Sequence, residues 1–291
     1  MTLEPLTFPG ALQDIQIGTI QSRAVQFQLQ VLLQEFRDIF TTHKADIGTV
    51  PSVEFSIPLI KGAQLPKFKP YRLTKMEELE MQRLIDEYIE AGIMRKSRTS
   101  IASPAFLTGK KALPGKPPEY RLLLDLRMLN KATKNDPYPM PNLDDLIVKY
   151  NGKSLFSSLD MCQGYVHIRV KEEDKWKTSF VTSKGQYELN RMLFGFKNAP
   201  TTFQRMMEDL FRDKAGIQSY LDDLMLASET EEEQIQQLRT VFEICRHNNI
   251  KLKPAKCKLF MKKLLYLGVE VAREGLKPNQ KQNNSWQRFW A

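Results

Sequence analysis

Residues 216–228 read GIQSYLDDLMLAS. Two short apolar runs, GIQSY and LMLAS, flank Leu221-Asp222-Asp223, and this pattern predicts two strands joined by a tight turn. Acidic residues are common in such turns for structural reasons alone, because their side chains hydrogen-bond to nearby backbone. A second strand, SLFSSLD (154–160), also ends on a carboxylate, Asp160, and is followed by Gly164-Tyr165. Three carboxylates at the ends of neighbouring strands would repel one another without a cation. They offer the oxygen donors that Mg²⁺ prefers, and Mg²⁺ usually keeps waters and phosphates in its shell. Two such ions about 4 Å apart would activate an attacking oxygen and stabilise a leaving one in phosphoryl transfer.

Working outward, Thr230 with Glu233 predicts a capped helix, with three glutamates in its first turn and Ile235, Leu238, Val241 or Phe242, and Cys245 on its apolar face. Thr74 with Glu77 predicts another, ending near Gly92, with Met81, Leu84, Ile85, Tyr88 and Ile89 inward. Residues 26–40 carry Phe27, Val31, Leu32, Phe36 and Ile39 at helical spacing, and 200–213 predict a helix with Pro200 in its first turn. Strands are expected over IASPAFLTG and YRLLLDLRML within 101–135, separated by the loop KKALPGKPPE. Others are expected over YVHIRV, over a pair around Lys184-Gly185, and over 250–253, 257–260 and 264–271. Residues 1–22 are weakly patterned and expected to be loosely ordered, and prolines 51, 58, 66 and 70 make 51–72 an extended linker or edge segment. Strands and helices alternate without regular βαβ repetition, so an α+β fold with a mainly antiparallel sheet is favoured.

The chain has 291 residues, 43 Lys plus Arg against 34 Asp plus Glu, and a net charge of +9. Hydrophobic residues at 42% and charged residues at 26% exclude wholesale disorder and a fibre. No apolar run is long enough for a membrane helix, and MTLEPLTFPGALQD does not read as a signal peptide, so an intracellular, soluble chain is expected, its compartment unassigned. Cys162, Cys245 and Cys257 form no C-x-x-C pair, which argues against a zinc site or a disulfide framework. The basic surplus points to a polyanionic partner but fits solvated lysines equally well.

The order YRLLLDLRMLNKAT (120–133), SLDMCQGY (158–165), MLFGFKNAPTTFQ (192–204), YLDD (220–223) and YLGVEV (266–271) resembles the reverse transcriptase of Gypsy-type LTR retrotransposons. PKFKPYRLT, IEAGIMRKS and SPAFLTGKK upstream resemble the fingers-side lead-in of the same family. The resemblance implies a right-hand polymerase fold: fingers, and a palm whose mainly antiparallel sheet packs on helices, with the thumb absent or truncated. The domain expectation is a lead-in at 1–65, fingers and palm at 66–278, and a polar tail at 279–291 that reads as disordered or as a truncation scar.

It also implies roles for individual residues. Asp160 and Asp222 resemble the catalytic, metal-binding aspartates, and Asp223 the third carboxylate. Two Mg²⁺ ions are implied, with Mn²⁺ as a substitute. Arg121 resembles the fingers arginine that grips the incoming triphosphate, a task for which its fork suits phosphate oxygens. Lys110 and Lys111 would add charge there, with a solvated lysine as the alternative reading of either. Tyr165 resembles the steric gate against a ribose 2′-OH, and Phe194 and Gly195 the region beneath the nascent pair. Lys197, Asn198, Gln204 and Tyr220 are implied neighbours of the primer–template, with Leu267 and Gly268 at the primer grip. Lys256 lies in a lysine-rich stretch (251–263) that reads as backbone contact or as a solvated edge, and it resembles the family's proton-donating lysine. Val166-His167 departs from the His-Gln that often follows the gate. Implied partners are an RNA or DNA template with primer, deoxynucleoside triphosphates and other domains of a Pol polyprotein, and no membrane. The expected activity is RNA-directed DNA polymerisation; a catalytically inactive nucleic-acid-binding remnant is the alternative.

Overall fold

A computed structural model describes residues 8–43, 46–109, 120–142, 149–150 and 152–278. The chain divides into two compact units that interleave in sequence.

The first unit draws on residues 1–44, 139–164 and 204–291. Its five-stranded sheet runs in the order Gln16–Ile17, Lys258–Met261, Leu155–Asp160, Asp223–Ser228, Ile217–Tyr220. Leu155–Asp160 sits at the centre, antiparallel to both neighbours, while Gln16–Ile17 joins the edge in parallel with Lys258 and Leu259. Residues 8–22 are thus partly ordered, contrary to expectation: a 3-10 turn at Gly10–Asp14 leads into that edge strand.

Side chains alternate across the sheet. Ser157 faces Gln234 of the Glu231–His247 helix, which packs against the sheet and against the Arg23–Glu35 helix. The other face carries Phe156, Met225 and Ala227, which meet Tyr150, Leu264, Tyr266 and Val271 in a buried cluster. The last three come from a smaller antiparallel sheet, Lys263–Tyr266, Val269–Ala272, Gly275–Pro278.

The second unit draws on residues 45–138 and 165–203. Its sheet runs Met94–Lys96, Gly185–Leu189, Phe180–Thr182, Ser103–Gly109, Tyr120–Leu124. The Lys75–Glu90 helix packs on it, opened by a complete Thr74–Glu77 capping box and closed at Gly92. Glu54–Phe55 pairs in parallel with Arg169–Val170.

Five local expectations are corrected, the first being the strand over 264–271, which is two strands, Lys263–Tyr266 and Val269–Ala272, joined at Leu267-Gly268. The second predicted strand of 101–135 stops at Leu124, and Arg127–Ala132 is a helix, because Asp125 bonds the Arg127 backbone and side chain and turns the chain. YVHIRV is a strand only at Arg169–Val170, after a 3-10 turn at Gly164–His167. Residues 250–253 form only an isolated bridge at Leu252 before the Pro254–Lys256 turn. The Arg23–Glu35 helix buries Val25, Leu29, Leu32 and Leu33, leaving Phe27 67% and Val31 44% exposed. Two apolar stripes compete on that helix, and the one offering three leucines and a valine is the buried one. The loop KKALPGKPPE lies outside the described residues.

Candidate active site

The three carboxylates belong to the first unit. Asp160 ends the central strand, and Asp223, the first residue of the adjoining strand, stands directly opposite it in register. Tyr220 pairs with Asp223, so Leu221 and Asp222 form a two-residue hairpin loop. Leu221 has φ +52°, a left-handed conformation at which such loops ordinarily use glycine or asparagine. The Met161 amide donates to the Asp222 carbonyl at 3.2 Å, tying the loop to the chain just past Asp160.

This packing concentrates negative charge away from water. Burial, then the charges of Asp222 and Asp160, push the Asp223 carboxyl up to about 6. Burial also raises Asp160, although the Lys256 ammonium donates to its Oδ2 at 2.7 Å and opposes the shift. Burial alone would lower Lys256; its bond to Asp160 and the surrounding carboxylates outweigh that and hold it above the ordinary lysine value. Lys256 reaches Asp160 because Pro254–Lys256 is a turn whose preceding residue, Lys253, donates its amide to the Asp160 carbonyl at 2.9 Å.

Three carboxylates against one ammonium leave a net negative, oxygen-only donor set, which suits divalent magnesium in donor type and charge. Among the described residues, no three His, Cys, Asp or Glu side chains stand ready-gathered around one ion.

Other expected contacts fall differently. Tyr220 and Leu267 are partly buried against the Tyr150–Tyr266 cluster. Leu267 and Gly268, at φ +49° and +80°, form the two-residue loop between Tyr266 and Val269. Gln204 is fully buried, with its amide bonded to Leu221, Ser219 and Glu208.

The second unit holds the rest. Arg121 is exposed on the Tyr120–Leu124 strand, opposite Thr108. Lys110 and Lys111 lie outside the described residues. Tyr165 is buried, its ring 4.5 Å from that of Phe194 and 5.2 Å from that of Phe203, while Phe194 is 58% exposed. Phe203 was not among the expected residues; its place on the buried face of Ala199–Phe211, in step with Met206 and Met207, was the available signal. Gly195 has φ +101°, which disfavours a side chain, and its carbonyl accepts from Asn130 Nδ2 at 2.8 Å. Lys197 is exposed, with Nζ on the Thr133 carbonyl at 3.0 Å. Asn198 is buried, its amide bonded to the Lys134 carbonyl and the Asp136 amide, so it fastens a turn within this unit.

The model of the reverse transcriptase (RNA-dependent DNA polymerase) family matches residues 109–271, more than half the chain. The retrovirus-related Pol polyprotein from transposon 297 of Drosophila melanogaster is 31% identical over 255 residues, covering 87% of this chain and 24% of the relative. That from transposon opus of the same fly is 33% identical over 258 residues, covering 87% and 25%. The enzymatic polyprotein of cauliflower mosaic virus is 32% identical over 224 residues, covering 77% and 33%. The chain thus spans about a quarter to a third of these relatives. The foamy viral protease-reverse transcriptase in complex with RNA/DNA hybrid superposes with a TM-score of 0.79 at 20% identity, covering 97% of this chain and 37% of that one. A form of it in complex with double-stranded DNA gives 0.80 at 18%, covering 100% and 51%. At these identities the structural likeness establishes the fold, fingers and palm.

Proposed function

The chain belongs to the reverse transcriptase family, and from that premise we propose that it is an RNA-directed DNA polymerase domain of an LTR-retrotransposon Pol polyprotein, of the Gypsy type by its motifs. It would extend a primer 3′-OH along an RNA or DNA template, with deoxynucleoside triphosphates as substrates and pyrophosphate as product. The observation that carries this reading is the register that sets Asp160 opposite Asp223, with Asp222 in the adjoining loop.

Asp160, Asp222 and Asp223 would hold the divalent cations the family uses. When bound, those cations would neutralise the triphosphate and activate the primer hydroxyl. The exposed Arg121 guanidinium would orient the triphosphate through paired hydrogen bonds. The Tyr165 ring, braced by Phe194 and Phe203, would exclude a ribose 2′-OH. Lys256 Nζ, held protonated beside Asp160, would carry the proton the leaving pyrophosphate needs. Lys197, Tyr220, Leu267 and Gly268 remain our candidates for primer–template contact. Both foamy viral neighbours are complexes with nucleic acid duplexes, which supports a duplex partner here.

The test is single-nucleotide incorporation on an RNA template with a DNA primer, first in Mg²⁺ and then in Mn²⁺, for wild type beside Asp222→Asn. Incorporation by wild type alone is expected. Duplex binding without incorporation in either metal would reject the polymerase reading and leave a nucleic-acid-binding domain.

A further inference from the structure

We propose that Gln204 is a positioning residue for the two-aspartate loop: its buried amide holds Leu221 in the left-handed conformation that places Asp222 beside Asp223 and Asp160. The proposal rests on the reading of these carboxylates as the metal site.

Among the described residues, Ile217–Tyr220 is an edge strand of the five-stranded sheet, paired on one side only, with Asp223–Ser228. Edge strands leave a row of backbone donors and acceptors in need of partners. Along extended chain, the carbonyl of one residue and the amide two residues on point to the same side. At the loop these two groups belong to Ser219 and Leu221, and Gln204 meets both. Its Oε1 accepts from the Leu221 amide at 2.8 Å, and its Nε2 donates to the Ser219 carbonyl at 3.3 Å. The same Nε2 donates to Glu208 Oε1 at 2.9 Å, one helical turn on, which fixes which end of the amide faces which group. One side chain therefore does what a neighbouring peptide would do, across Tyr220 and up to the loop.

Gln204 is 0% exposed, so these bonds have no competition from water. Two other buried glutamines brace this sheet, but Gln234 bonds Ser157 and Ser228, and Gln237 bonds the carbonyls of Ala215 and Ala227. Gln204 is the one bonded to the loop. The relaxed conformations of leucine lie at negative φ, and the Gln204 bond opposes the return of Leu221 from φ +52°. A return to negative φ would swing the next residue, and that residue is Asp222.

The test couples Gln204→Met, which keeps the length and loses both polar ends, with Leu221→Gly, which makes positive φ natural without a tether. Two readouts are independent of turnover: hydrogen exchange of the Leu221 amide, and Mn²⁺ binding followed by electron spin resonance. Gln204→Met is expected to stay folded, lose Leu221 protection and bind Mn²⁺ roughly tenfold more weakly or worse, as residues that orient metal ligands do. Placing Leu221→Gly beside Gln204→Met should restore most of the Mn²⁺ affinity, an interaction that a general packing defect would not produce. Lost Leu221 protection with unchanged Mn²⁺ affinity, or strictly additive variants, would overturn the proposal. Should Gln204→Met fail to fold, Gln204→Glu keeps the acceptor for Leu221 and drops the neutral donor; protection and affinity must then still change together. Wild-type Mn²⁺ binding that Asp222→Asn abolishes, without nucleotide incorporation, would count against the polymerase reading and leave this one standing.

Discussion

The first unit contains two hairpins with two-residue loops, and their backbones differ. Tyr220-Leu221-Asp222-Asp223 and Tyr266-Leu267-Gly268-Val269 both close a two-residue loop between paired ends. In both, the leucine is left-handed, at φ +52° and +49°. In the second loop the next residue is glycine, at φ +80°, so half of the conformational demand falls on the residue that meets it most easily. In the first loop Asp222 is not left-handed, so Leu221 carries that conformation alone, and a buried side-chain amide from the preceding helix supplies the restraint. The comparison teaches that a loop can be built for geometry or for chemistry.

The sharpest way to break the comparison is Asp222→Asn, which keeps the loop's shape and removes its charge. Nucleotide incorporation is expected to fall by about 10³-fold or more, with thermal stability unchanged within error. A variant that retains incorporation would make Asp222 a turn former like Gly268.

Next in size is the pH response of Asp223. Its carboxyl stands at about 6 in the fold against an ordinary 3.8, so the native state binds the proton more tightly than the unfolded chain does. The stability this group contributes is full below about pH 4 and is lost as pH rises through about 6. Asp223→Asn should therefore stabilise the metal-free chain at neutral pH by on the order of 2 kcal/mol and have little effect at pH 4. Urea unfolding at both pH values reads this directly, and equal effects at both would reject it. In wild type, Mn²⁺ affinity should weaken as pH falls below about 6 and this carboxylate takes up its proton.

Smaller effects sharpen the contrast. Gly268→Ala, at φ +80°, should cost about 1 kcal/mol in urea unfolding. Leu267→Gly should be nearly neutral or mildly stabilising, because it relieves a left-handed leucine at the loss of partial packing against the Tyr150–Tyr266 cluster. A large loss for Leu267→Gly would mean that this loop is held by packing and not by its glycine.

What was legible in the sequence was mostly local. The Thr74–Glu77 and Thr230–Glu233 caps, the Lys184-Gly185 turn and the buried face of Glu231–His247 are written in neighbouring residues, and the fold uses them as read. The pairing of Asp160 with Asp223 was approachable because both end apolar strands. The Arg23–Glu35 helix shows the limit: its sequence supports two apolar stripes, and only tertiary packing decides between Phe27-Val31 and Leu29-Leu32-Leu33. The stretch after Leu124 shows another, since the Asp125 bonds to Arg127 outweigh a strand-like composition. Long-range polar pairing was not legible at all. Lys256 stands out from the neighbouring lysines only through the family resemblance, and nothing local foretells its bond to Asp160, 96 positions earlier in the chain. Gln204 reads as a polar helix residue facing solvent or template, because composition cannot tell that the strand edge beside it lacks partners.

The sheet order has a consequence for how the protein is made. The central strand, Leu155–Asp160, is flanked by segments that emerge from the ribosome only later, and Gln16–Ile17 must wait for Lys258 and Leu259. During synthesis the amino-terminal segment therefore remains without its sheet partner until nearly the whole first unit has been translated, and Lys256 reaches Asp160 in the same closing stage. Asp160, Asp222 and Asp223 are all translated by residue 223, so the carboxylates can meet before the Lys256 ammonium that offsets them has been made.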